Sequence, residues 1–515
     1  MKLLSYFFFM GCYISVLAQE QPPLATPEWR PVYHFTPIKN WTNDPNGLIY
    51  LDGTYHLYNQ QNPFENKWGH MSWGHATSRD LVHWNHLPIA LPETIDKDTT
   101  WRFSGCIVWD KNNTSGFCKN GGCMVAIYTA DQPNLKRESQ FIAYSNDGGL
   151  TYTNYTNNPV IDLHKKDFRD PNVSWNEQIK KWLMVVALPT DHKIQMYAST
   201  DLKTWKLLSE FGPAGFVDAA WECPSFFQLN VNGNAAKKKW VLVVSAAGSK
   251  KGTFMQYFVG DFNGKTFTND NPPDTILPVD YGDGFYAAIP WNNAPAHKKI
   301  FIGWMAPGPQ KTDPWTGQMS IPRDLGLRQN EQGVRLIQNP TSVIKNNLLK
   351  ISGNQVIQMK DVKISDQEIS IGKGDALQGN AYWLNAEIIC ETGVTAGFKI
   401  AQKKDKDNKI LSETVIGYDA GKQELYVDRS YAGGGKIKED KLRQNIPLQN
   451  KDGKIILEIL LDKSSLEIFV NNGEKVLTTS VFPDEDAYNV AAFTTGGKAV
   501  ISSLTVWNLS KIKVN

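Results

Sequence analysis

Three short segments each place a carboxylate in a rigid, polar setting. The first is Trp41-Thr42-Asn43-Asp44-Pro45-Asn46-Gly47. Pro45 fixes its own φ and biases Asp44 towards an extended backbone, and Asn46-Gly47 predicts a tight turn before a strand at Leu48. The second is Phe168-Arg169-Asp170-Pro171, where Arg169 beside the acid favours its ionised form. The third, Trp221-Glu222-Cys223-Pro224, sets an aromatic ring and a thiol beside the acid. One Asp-Pro alone is usually only a turn, and a lone Glu-Cys says less. Three such segments on what read as separate structural units are much harder to dismiss.

The elements that must position them read as β throughout. Short apolar runs such as Gly47-Leu-Ile-Tyr-Leu51, Thr54-Tyr-His-Leu-Tyr58, Met124-Val-Ala-Ile-Tyr128 and Trp240-Val-Leu-Val-Val244 are bounded by Gly, Asn, Asp and Pro. Sustained helical periodicity is hard to find. Ser78-Arg-Asp80-Leu-Val-His-Trp84 is echoed by Ser199-Thr-Asp201-Leu-Lys-Thr-Trp205, more loosely by Ser145-Asn-Asp147-Gly-Gly-Leu-Thr-Tyr152, and more loosely still by Val259-Gly-Asp261-Phe-Asn-Gly-Lys-Thr-Phe267. Each is an Asp turn followed by an aromatic residue after an apolar strand. The aspartates recur roughly every 55–65 residues, enough for one four-stranded blade with its loops. About five such units fit between Pro27 and Asn339. The spacing favours a β-propeller over 27–340; ordinary hairpin turns of a β-sandwich are the alternative. Near residues 340–350 Trp thins out and Lys rises, and 350–515 carries alternating strands such as Ser465-Leu-Glu-Ile-Phe-Val470 before an Asn471-Asn-Gly turn, as in a separate β-sandwich.

Composition narrows the class. Among 515 residues the formal net charge is +2, with Lys and Arg spread along the chain, which gives no footprint for nucleic acid or an anionic membrane. Of 17 Trp and 19 Tyr some read as core layers, and in a non-basic protein such a surplus also suits the flat apolar faces of sugars. Residues 1–18 read as an export signal: Lys2, an apolar stretch from Leu3 to Leu17, and Val16-Leu17-Ala18 before Gln19. Lipid attachment at Cys12 is the alternative. No other apolar run approaches spanning length, so no membrane insertion of the mature chain is expected. The six cysteines form no scaffold of disulfides, although Cys118 and Cys123 flank a turn and could pair on export. No metal-ligand spacing is visible, and His70 and His75 read as structural.

Taken in order, Trp41 to Gly47, Phe103-Ser104-Gly105, Arg169-Asp170-Pro171, Glu222-Cys223-Pro224, Gly303-Trp304-Met305 and Asp462-Lys-Ser-Ser-Leu-Glu-Ile-Phe-Val470 resemble the β-fructofuranosidases, the invertases, levanases and inulinases of glycoside hydrolase family 32. The resemblance covers nearly the whole mature chain. It implies an all-β fold, a five-bladed β-propeller followed by a C-terminal β-sandwich, and a retaining cleavage of β-fructofuranosidic bonds in fructan or sucrose without metal or cofactor. On this resemblance Asp44 is the nucleophile, Glu222 the acid/base, and Asp170 the group that binds fructosyl hydroxyls and stabilises the oxocarbenium-like transition state. Retention requires the two working carboxyls about 5–5.5 Å apart. Trp41, Asn43, Gln60, Trp68, Phe103, Ser104, Arg169 and Trp304 match substrate-pocket positions.

One departure is in Asp280-Tyr-Gly-Asp283-Gly284-Phe-Tyr286-Ala, where Gly284 stands in place of an acid found in many exo-acting members. The stretch after Trp304 also differs, so exo and endo action both stay open. A fructosyltransferase uses the same chemistry with a sugar in place of water. A silent fructan-binding protein is the alternative from another class, and an intact carboxylate set argues against it.

Overall fold

The computed structural model describes residues 28–95, 99–119, 121–249, 252–307, 312–353, 356–372, 377–433, 437, 439–450 and 452–512. The expected export segment and Cys12 lie outside them. Among the described residues no helix is long and apolar enough to cross a membrane.

Five antiparallel blades follow one another along the chain, as the repeat predicts. Their innermost strands are Asn40–Leu51, Trp101–Trp109, Arg169–Asn176, Ala220–Val231 and Tyr286–Pro290. The ring closes where Trp315–Thr316 pairs in parallel with the start of the first blade, Asn40 opposite Trp315. Neighbouring blades share their cores, which is why the middle strands are apolar on both faces. In Lys181–Leu188, Met184 and Val186 pack with Ile127 and Val173, while Leu183 and Val185 pack on the other side with Phe226 and Leu242.

The recurring aspartate makes the same turn in the first three blades. Asp80 accepts from the backbone N–H of Val82 (3.0 Å) and His83 (2.9 Å), Asp147 from Leu150 and Thr151 (both 3.1 Å), and Asp201 from Lys203 (2.9 Å) and Thr204 (2.7 Å). A Ser two residues earlier donates to each carboxylate. The fourth copy differs: Asp261 lies in a strand and pairs with Lys239 at 2.7 Å, and Asn263 makes the turn, accepting from Lys265 and Thr266.

The last blade strand ends at Pro340, and the helix Ser342–Ser352 follows, burying Ile344 and Leu348 four positions apart. That pair is too short a signal to stand out in the sequence. Two six-stranded sheets then face each other across a core that includes Phe398, Ile416, Leu425, Ile459 and Ile468. A buried ionic cluster joins sandwich to propeller. Glu467 and Asp462 hold the two nitrogens of His34 at 2.9 and 2.8 Å, and Arg323 reaches Glu467 at 2.5 Å and Asp280 at 3.0 Å. Burial alone would lower the His34 pKa, but its bonds to Asp462 and Glu467 raise it to about 9, so the ring is a cation at neutral pH. A second copy of this capture explains the Gly284 departure. Asp280 and Asp283 both turn into the sandwich, onto Thr478 (2.6 Å) and Arg429 (2.9 Å). A Cβ at Gly284 would stand 3.0 Å from the Thr478 carbonyl oxygen, so a side chain there crowds the interface.

Candidate active site

Each innermost strand carries a bulge, two residues opposite one, and the candidate residues sit in or beside these bulges. Asn43 and Asp44 bulge opposite Gln60, Phe103 and Ser104 opposite Thr129, Asp170 and Pro171 opposite Val186, Cys223 and Pro224 opposite Val244, and Ala287 and Ala288 opposite Gly303. A bulge bends the strand and re-aims its side chains. Asp170, Cys223 and Ala287 have positive φ of 67°, 47° and 52°; held in a sparsely populated conformation, they mark sites where the fold over-determines the backbone. Pro171 and Pro224 fall inside their bulges, where a missing N–H is tolerated. Asn46-Gly47, expected as a turn, instead lies inside Asn40–Leu51, where Gly47 with φ 53° takes part in a second register shift. The strand runs through because Thr54–Asn62 pairs with it on both sides of that shift, Tyr58 opposite Asn46 and His56 opposite Ile49. Gly105 is required by packing, since a Cβ there would lie 2.1 Å from the Ile127 carbonyl oxygen.

The bulges bring the three acids together. The Asp44 carboxylate accepts on Oδ2 from Ser104 Oγ (2.6 Å), Gln60 Nε2 (3.4 Å) and Cys223 Sγ (3.4 Å), and on Oδ1 from Asn43 Nδ2 (3.2 Å). Gln60 also donates to Ser104, and Trp41 Nε1 donates to Asn43 Oδ1 at 2.8 Å, fixing the Asn43 amide so that its N–H faces Asp44. Cys223 bridges Asp44 and Asp170: its backbone N–H donates to Asp170 Oδ2 at 2.8 Å and its Sγ lies 3.5 Å from the same oxygen. Asp170 in turn donates its N–H to Thr129 Oγ1 at 2.8 Å.

Glu222, one residue before Cys223, accepts from Arg169 Nη1 on Oε1 (2.8 Å) and from Tyr286 OH on Oε2 (2.7 Å). Arg169 is held from behind by Glu138, whose oxygens take its Nε at 3.0 and 2.9 Å and its Nη2 at 2.9 Å, and by Asp167. One N–H on Nη1 is left over from these contacts. The sequence placed Arg169 beside Asp170; its hydrogen bond goes to Glu222.

Burial and crowding shift the acids. Asp44 is raised above its ordinary value, first by burial and then by the charge of Glu222, against the Ser104, Asn43 and Cys223 bonds. Asp170 is raised well above its ordinary value by burial and by Glu222, with Arg169 opposing. Burial also pushes Glu138 up to about 7 despite Arg169. Three crowded carboxyls beside one guanidinium hold a proton to higher pH than separate carboxyls would.

Around this centre Trp41 packs on Trp304 (5.9 Å between ring centroids), and Trp304 on Tyr286 (6.4 Å). Phe103 and Trp68 meet at 6.1 Å, with Trp68 half open to solvent. All eleven residues named from sequence thus sit in this one region. Tyr286, Cys223, Glu138 and Thr129 were not among them. Tyr286 stands two residues beyond Gly284 in the departing stretch, and Cys223 lies inside the Glu222-Cys223-Pro224 motif; Glu138 and Thr129 carry no sequence signal of their own. Of the remaining histidines weighed as ligands, His75 is buried against Tyr58 and His56.

Known proteins share this fold. The sequence model of the glycosyl hydrolases family 32 N-terminal domain matches residues 34–340, and that of the family's C-terminal domain matches 348–508. The chain belongs to glycosyl hydrolase family 32. It is a glycoside hydrolase of the fructofuranosidase type. It is 42% identical to a levanase of Bacillus subtilis over 94% of this chain and 71% of that one, and 36% identical to an extracellular exo-inulinase of Aspergillus awamori over 96% of each. The crystal structure of the Aspergillus awamori exo-inulinase superposes with a TM-score of 0.86 at 34% identity, covering 94% of this chain and 99% of the other. A β-fructofuranosidase from Schwanniomyces occidentalis, complexed with fructosyl-erythritol, gives 0.81 at 30% identity, covering 94% and 98%. The propeller-plus-sandwich expectation is borne out.

Proposed function

We propose that this family 32 enzyme hydrolyses β-fructofuranosidic bonds of fructans and sucrose with retention, using Asp44 as nucleophile, Glu222 as acid/base and Asp170 as the group that holds the fructosyl unit. The observation that carries the reading is Cys223: it touches Asp44 and Asp170 together and is joined through its own backbone to Glu222, so three acids from three blades surround one space. Asp44 Oδ2 is occupied by three donors and Oδ1 by one, which leaves Oδ1 the lone pair for attack on the anomeric carbon. As the C–O bond breaks, Glu222 passes its proton to the leaving oxygen. Glu222 then takes a proton from water, whose oxygen attacks the same carbon and releases Asp44. Arg169 and Tyr286 hydrogen-bond the carboxylate that remains, lowering the barrier to giving the proton up. Asn43, Gln60 and Ser104 hold Asp44 in line; Trp41, Phe103, Trp68 and Trp304 wall the sugar, and the spare N–H of Arg169 faces its hydroxyls.

Chromatography of early products from sucrose, levan and inulin tests this. Free fructose or short fructo-oligosaccharides are expected from at least one of the three, with equimolar glucose and fructose from sucrose. Glucose release accompanied by lengthening fructose chains would make the enzyme a transferase. No sugar release from any of them would reject the reading.

We also infer export, on Val16-Leu17-Ala18 and the Cys118–Cys123 disulfide. The secreted protein is then expected to begin at Gln19 by intact mass. A diacylglyceryl mass on Cys12 would place it on a membrane surface instead.

A further inference from the structure

Beyond Phe103 and Trp68 the aromatic wall continues outwards through residues that no part of the mechanism uses. Trp68 packs edge-on to Trp101 at 5.3 Å, Trp101 lies 6.3 Å from the His70 ring, and Phe64 packs edge-on to His70 at 5.3 Å. Phe64 and Trp68 are 65% and 50% exposed. A single exposed ring means little, but two exposed rings joined through the partly buried Trp101 and His70 make a contiguous patch that calls for an occupant. The run is also pre-set. Asn62 accepts from the backbone N–H of Phe64 (3.0 Å) and Glu65 (3.3 Å) and donates to the Lys67 carbonyl (2.9 Å), so the loop that carries Phe64 and Trp68 is tied to its own strand. Glu93 holds His70 Nδ1 at 2.8 Å, fixing the ring that Phe64 leans on. A Glu65–Lys67 ion pair at 3.1 Å supplies polar groups on the same loop.

We infer that Trp101, His70 and Phe64, reached through Trp68, form an outer binding surface for further fructosyl units of a fructan chain whose scissile bond lies at Asp44. Continuity decides the occupant. The inner end of the ladder is Phe103, whose neighbour Ser104 donates to Asp44 at 2.6 Å, so the surface runs on without a break from the place where the scissile bond is proposed to lie. Flat rings cover the apolar C–H faces of a sugar, while the polar loop atoms meet its hydroxyls. The inference rests on the function proposed above and specifies its substrate as polymeric.

The test measures kcat/KM on sucrose, on fructo-oligosaccharides of increasing length and on long fructan, together with retardation in a fructan-containing gel. Wild-type kcat/KM is expected to rise with chain length. Phe64→Ala and Trp101→Ala should each lose about tenfold on long fructan, the scale of uncovering one ring face, and less than twofold on sucrose. Trp101→Phe should recover most of the loss. Unchanged melting temperatures would show that the alanine variants fold. Equal losses on sucrose and fructan, or none on either, would overturn the inference while leaving the proposed function intact. An inactive wild type that is still retarded by fructan, with the alanine variants running freely, would sink the proposed function and leave the surface standing.

Discussion

Asp44→Asn will bind sucrose and fructan but turn them over about 10⁴-fold more slowly or worse, because the amide cannot form the glycosyl–enzyme bond and only binding and electrostatic effects remain. The same variant should fold at least as well as the parent. Burial raises the Asp44 pKa above its ordinary value. For an acid, that sign means the ionised form is less stable in the folded protein than in the unfolded chain, so above the unfolded value the carboxylate costs stability, and removing the charge relieves that cost. Asn keeps one oxygen to accept from Ser104 in place of Oδ2, whose hydrogen bond is 2.6 Å. Steady-state rates, equilibrium binding and thermal melting on one preparation check the three parts. Near-normal turnover would remove Asp44 as nucleophile. A lost transition on melting would mean that its four donors serve the fold first.

What could be read from sequence was whatever is written locally. The blade turns were legible at Asp80, Asp147 and Asp201 because an Asp two residues after a Ser caps its own turn, and the chemistry of that turn needs nothing from elsewhere. The fourth was misplaced by two residues because Asp261 and Asn263 can both play that part and only the strand end chooses between them. The acids were legible because prolines beside Asp44, Asp170 and Cys223 mark places where a strand departs from its ladder. That every blade departs at the same level was not legible, since register belongs to two strands at once. The partners of Glu222 were hidden for the same reason. Arg169 stands 53 and Tyr286 64 positions away, and neither is aimed at Glu222 until three blades close around one axis. Glu138 is one step further off, since its role is to hold Arg169.

Glu222→Ala separates catalysis from structure, and the geometry makes that separation necessary. Glu222 does pair with Arg169 and Tyr286, so a purely structural role is a real competitor. The variant is expected to cut turnover on sucrose and fructan by about 10³-fold or more, because these leaving groups need a proton. An activated aryl fructoside needs little help in leaving and should form the Asp44-linked intermediate far more readily. Its breakdown will still be slow, for want of a base to deprotonate water. Azide requires no deprotonation, and the space vacated by the side chain lies beside the guanidinium of Arg169, which still has Glu138 and Asp167 to hold it. Added azide should therefore restore turnover of the aryl substrate and give fructosyl azide of retained configuration. If Glu222 only braced Arg169 and Tyr286, both leaving groups would suffer alike and azide would do nothing. Glu222→Gln, which keeps an acceptor for Arg169 or Tyr286 but cannot give up a proton as an acid does, should then look nearly normal on sucrose. On the mechanism proposed it should fail there as badly as alanine. An azide product of inverted configuration would reject the covalent intermediate, and Asp44 with it.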